Sequence, residues 1–143
     1  MTKTLIGTLM AAGLLMMATA EAGIVNSLAD LKWEKRIVVI VNPEHRDRII
    51  DTLDRSQPAI RDRHIAWFVV AGDAMDSNMT GLGSALLQSV RDRVGTTGDQ
   101  QEVVLIGKDG GVKDRSQRLD LERLFAMIDS MPMRRQEMRQ NGD

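Results

Sequence analysis

Cysteine is absent from all 143 residues of this chain. That one absence removes disulfide staples, thiolate nucleophiles, lipidation on cysteine and cysteine-ligated zinc or iron–sulfur centres together. Aromatic residues are almost as scarce, with two Trp, two Phe and no Tyr, too few for a platform on which bases would stack. Neither sign of charge is in excess, since 19 Lys+Arg stand against 20 Asp+Glu. Nucleic acid, which selects a basic surplus or patch, is therefore not expected as a partner. The chain also lacks internal repeats and low-complexity tracts. Its length suits one domain, burying roughly 65% of the surface that the unfolded chain exposes.

What is present begins with an address. Residues 1–22, MTKTLIGTLMAAGLLMMATAEA, have a positive start at Lys3 and an apolar stretch from Leu5 to Met17. Small residues follow in the A-x-A pattern at Ala18-Thr19-Ala20 and Ala20-Glu21-Ala22, which predicts an export signal cleaved after Ala20 or Ala22. The apolar stretch is short for an uncleaved membrane anchor. The expected location is extracytoplasmic: the periplasm if the source has an outer membrane, otherwise the exterior. No stable membrane association is expected after cleavage. The remaining chain reads as a short lead over 23–30, a domain over 31–131 and a polar tail over 132–143.

Within the domain, Arg36–Arg46 reads RIVVIVNPEHR. Five consecutive apolar residues, Ile37 to Val41, suit a strand covered on both faces. Asn42 then suits an N-cap and Pro43 the first helical position, with Glu44 adding negative charge near the positive helix end. Helix is predicted over Arg46–Ser56, with Ile49, Ile50 and Leu53 on one face and Pro58 ending or bending it. Ile65–Ala71 is a second buried strand, and the polar stretch Gly72–Gly83 a connection. Ser84–Val94 is helical with Gly95 as its C-cap. Val103–Ile106 and Val112 to about Arg115 form a hairpin across Lys108–Gly111, whose glycines supply positive φ. A last helix spans about Leu121–Ser130, capped by Asp120 and closed by Pro132. Trp33, beside the first strand, is expected to pack against the core.

The resulting order, β-α-β-α-β-β-α, is the connectivity of the thioredoxin fold, an α/β architecture with a four-stranded mixed sheet flanked by helices. Three segments carry a closer likeness: WEKRIVVIVNP at 33–43, VVLIGKDGGVKDRS at 103–116 and LERLFAMIDSMPMRRQEMR at 121–139. They resemble domain-of-unknown-function family 4174, the P-DUDES domain, over roughly residues 28–139. The resemblance implies a thioredoxin-like fold in an exported protein and brings no established activity with it. Thioredoxin-type catalysis needs thiols just after the first strand, where this chain has Asn42-Pro43-Glu44-His45. Before the third strand, where thiol oxidoreductases keep a cis-proline, it has Gln100-Gln101-Glu102.

The leading expectation is a non-catalytic domain that binds a partner protein or small ligand outside the cytoplasm. Its ligand-binding candidates are Asn42, Glu44, His45 and Arg46, where free N–H groups at a helix start could receive an anion. The alternative is a cysteine-independent enzyme or anion-binding protein using Glu44 and His45, the latter as acid or base. Arg134, Arg135 and Arg139 form a basic cluster suited to an acidic partner. Asp73, Asp76 and Asn78 have part of a calcium-loop spacing without its closing Glu, so an Asx-rich turn accounts for them. Met127, Met131, Met133 and Met138 could offer thioethers to Cu(I), but packing accounts for part of that set. His45 and His64 lack a second histidine at ligand spacing. No catalytic residue, metal or cofactor is assigned.

Overall fold

The computed structural model describes residues 23–95 and 98–142. The predicted export signal lies outside those residues. Five strands form one sheet in the order β3-β2-β1-β4-β5. They are β1 (Arg36–Val41), β2 (Ile65–Ala71), β3 (Ala74–Ser77), β4 (Glu102–Ile106) and β5 (Val112–Ser116). β1 lies parallel to β2 and antiparallel to β4, and the outer pairs are antiparallel.

The continuous apolar runs in β1 and β2 follow from their central places, because helices cover both faces there. Ile37, Val39 and Val41 face one layer with Leu86, Val90 and Val94 of helix α3 (Leu86–Val94). Val38 and Ile40 face the other, with α1 (Arg46–Arg55), α2 (Gln57–Asp62) and α4 (Leu121–Asp129) supplying Leu53, Ile60, Leu124 and Ile128. Every residue of β1 is buried, and each such aliphatic side chain contributes about 1.5–3 kcal/mol.

The sheet has five strands where four are expected. The additional strand, β3, comes from the stretch read as a polar connection. Ala71 pairs with Ala74 across the two residues Gly72 and Asp73. Gly72 has φ +60° and Asp73 does not, which matches a II′ hairpin turn with glycine at its first central position. β3 is an edge strand with no fully buried residue, so it lacks the apolar signal that reveals β1 and β2.

Two prolines begin helices rather than end them. Pro58 sits in the first turn of α2, and Pro132 in the first turn of α5 (Pro132–Gln140). A missing N–H costs nothing at either place. The stretch expected as a polar tail is thus mostly helix. The lead is also ordered: Val25 is buried and bonds backbone to backbone with Gly81 and Gly83 at 2.8 Å each. A capping box of Ser27 and Asp30 then opens a short 3₁₀ turn, Leu28–Leu31. Among the described residues no helix is long and apolar enough to cross a membrane.

Candidate functional site

The junction after β1 departs from the expected cap. Asn42 has φ +49°, a left-handed conformation that Asn tolerates better than most residues. Its Nδ2 donates to the carbonyls of Gly98 at 3.0 Å and Gln100 at 3.2 Å. Helix α1 begins only at Arg46, its N-cap is His45, and no side chain caps it. The Glu44 N–H instead donates to Gln101 Oε1 at 2.9 Å, while Gln101 Nε2 donates to the Gln117 carbonyl at 2.9 Å. Asn42 is therefore a tie between the β1 end and the segment before β4, not a helix cap.

Arg46 is engaged as well. Its Nε donates to Asp76 Oδ2 at 2.9 Å, its Nη2 reaches the same oxygen, and its Nη1 pairs with Asp47 at 3.1 Å. The side chains of Glu44 and His45 are exposed and have no hydrogen-bond partner among the described residues. They flank a hollow of about 340 Å³ that also touches Arg48, Gln101 and Arg118. The junction thus combines a backbone fixed from three sides with an unengaged carboxylate and imidazole. No contact joins those two groups, so nothing aligns them as an acid–base pair.

The calcium-like triplet is divided among three different sets of partners. Asp76 pairs with Arg46, and Asp73 pairs with Arg91 at 3.2 Å. Asn78 clamps β2, accepting from the Trp67 N–H and donating to the Ile65 carbonyl at 2.9 Å each. Met127 and Met131 pack against the core, whereas Met133 is exposed. Trp33, expected in the core, is 59% exposed and has φ +71°.

At the opposite end of β1 lies a buried ionic cluster with no sequence signature. Arg36, 1% exposed, donates to both carboxylate oxygens of Glu137 at 3.1 and 3.2 Å and to the Arg63 carbonyl at 2.9 Å. Lys108 donates to Glu137 at 2.6 Å and sits 2.8 Å from His64 Nδ1. A lysine ammonium can only donate, so His64 accepts there and carries its proton on Nε2. Burial, and then the Lys108 charge, push the His64 pKa below its ordinary value. Burial alone would raise the Glu137 pKa, but hydrogen bonds from Arg36 and Lys108 outweigh it and hold the carboxyl below its ordinary range.

The basic cluster of α5 divides along the same line. Arg134 is turned inward, 3% exposed, on Asp62 at 2.5 Å and Asp129 at 3.1 Å. Arg63 holds the same Asp129 through two bonds of 2.8 and 3.0 Å and lies over the Phe125 ring. Arg135 and Arg139 remain exposed. The arginine read as a surface docking residue is instead a structural anchor, while the other two stay on the surface. The polar helix α5 is held by these ions rather than by an apolar face. A period-3.6 search for apolar residues cannot find such an element.

A family model described as "Domain of unknown function (DUF4174)" matches residues 27–137. No curated protein matches the chain. Among solved structures, a reduced 2-Cys peroxiredoxin from Plasmodium vivax aligns with TM-score 0.55 at 14% identity, covering 76% of this chain and 72% of that one. The mitochondrial 2-Cys peroxiredoxin of Plasmodium falciparum aligns with TM-score 0.52 at 14% identity, covering 72% and 79%. Thioredoxin peroxidase I of Plasmodium yoelii gives 0.51 at 14%, covering 81% of each. At this identity the likeness is one of fold, and the fold is thioredoxin-like.

Proposed function

The chain belongs to the DUF4174 family, and from that premise we infer that it is an exported, non-catalytic thioredoxin-like domain that binds a partner outside the cytoplasm. One observation carries the reading. At the β1–α1 junction, where thioredoxin-type chemistry would need a thiol, Asn42-Pro43-Glu44-His45 is fastened by Asn42, Gln101 and the Arg46–Asp76 pair. A rigid backbone presenting unengaged polar side chains is a recognition surface, because little conformational entropy is lost when a partner docks. The N-terminal A-x-A endings support export.

Fractionation of the producing cell with intact-mass measurement tests the export half of this reading. The expected result is protein in the extracytoplasmic fraction whose chain starts at Glu21 or Gly23. Full-length protein confined to the cytoplasm overturns it.

A further inference from the structure

Between the 3₁₀ turn, α3 and the β4–β5 turn lies a cleft of about 710 Å³, within the range of small-molecule sites. Leu28, Ile37 and Ile106 form its floor, and Lys32, Lys35 and Arg93 stand around it. It sits at the start of β1 and the end of β4, the far end of the sheet from Asn42 and His45.

The charge around this cleft is unbalanced. The ammonium groups of Lys32 and Lys35 have no carboxylate or hydrogen-bond partner among the described residues, whereas most arginines of the fold are paired. Arg93 donates to the Gly110 carbonyl, a neutral group, and has no carboxylate partner among those residues. Two carboxylates also line the cleft. Asp109 is neutralised by Lys113 at 2.8 Å, and Asp92 receives only Gln88 Nε2 at 2.7 Å. Three cations therefore face one uncompensated carboxylate above an apolar floor.

We propose that this cleft binds a small organic anion, a carboxylate attached to an apolar chain or ring. The apolar part covers Leu28, Ile37 and Ile106, and the carboxylate meets Lys32, Lys35 and Arg93. A cation of the same shape is excluded by like charge. A dicarboxylate without an apolar part leaves the floor uncovered and binds less well. Lys32 also lies over the Trp33 ring at 5.3 Å. A ligand that draws its ammonium into the cleft removes that charge from the indole and changes Trp33 emission. The strained, exposed Trp33 thereby becomes a built-in reporter of occupancy.

Titration of the mature protein with decanoate and with decyltrimethylammonium, read by amide NMR shifts and Trp fluorescence, tests the proposal. Decanoate should shift the amides of Ile37, Ser89 and Gly107 and alter an emission signal that disappears in Trp33→Phe. Decyltrimethylammonium should do neither. Lys32 and Arg93 are exposed, so the double variant Lys32→Glu/Arg93→Glu folds and loses affinity for decanoate by about tenfold. Equal binding of both amphiphiles, shifts confined to other residues, or unchanged affinity in the charge-reversed variant would each overturn it. The cleft and the Asn42–Arg46 junction are at opposite ends of β1, and neither export nor the junction is a premise of ligand binding in the cleft.

Discussion

Glu137 offers the sharpest energetic test, because one carboxylate accepts hydrogen bonds from two buried cations, Arg36 and Lys108, and lies 3.8 Å from a third, Arg134. Glu137→Gln keeps the side-chain shape and an acceptor oxygen but removes the charge. It leaves Arg36 buried at 1% exposure, with Lys108 beside it at 9%. Removing one partner of a buried pair costs about 3–5 kcal/mol, since the remaining charge cannot be rehydrated. Domains of this size have only about 5–15 kcal/mol of stability. With each kcal/mol moving the midpoint by roughly 3–6 °C at this length, Glu137→Gln should melt roughly 10–25 °C below the parent. Urea unfolding of the parent, Glu137→Gln, Arg36→Met and the double variant supplies the check. The double variant, which removes the Arg36 charge and leaves only Lys108 without its carboxylate, should be more stable than the sum of the two single losses predicts. A loss under about 1 kcal/mol in Glu137→Gln, the range of exposed pairs, would show that the cluster is hydrated and that Glu137 does not anchor a buried charge.

Acid should weaken the fold in two stages. His64 has a folded pKa below its ordinary value of 6.5, so its contribution is complete above that value and declines as pH falls from there toward the folded value. Glu137 and Asp129 are also depressed, and their contribution fades as pH drops below the ordinary carboxylate range toward their folded values; His64→Gln should remove the first stage of the melting-temperature profile and leave the second. Asn78→Ala strands the Trp67 N–H and Ile65 carbonyl and should cost about 2–3 kcal/mol in denaturant unfolding. Arg134→Met should destabilise by several-fold more than Arg135→Ala, which should stay within about 0.5 kcal/mol of the parent. Asn42→Ala should lose about 1–2 kcal/mol, and Asn42→Gly less, because glycine accepts the +49° φ without strain.

The sequence was legible wherever burial imposes a pattern. β1, β2, α3 and α4 carry continuous runs or a 3.6-residue stripe, and each stands within two residues of its expected bounds. β3 and α5 were hidden because neither buries an apolar face. The first is held by a glycine turn and the second by Arg134 and Glu137. Of the candidate ligand residues, Glu44 and His45 are exposed, whereas Asn42 and Arg46 are occupied by internal bonds. The expected helix cap failed because Asn42 found carbonyl partners 56 and 58 residues away. No local rule registers such partners. The ionic cluster was hidden for the same reason, as Arg36 and Glu137 stand 101 residues apart.

Site-specific photo-cross-linking in the producing cell tests recognition at the β1–α1 junction. A photoreactive residue in place of His45 should give a discrete adduct in the extracytoplasmic fraction, while the same residue in place of exposed Arg61 on α2 should give none. The absence of an adduct from position 45, or the same adduct from both positions, would rule out recognition at this junction.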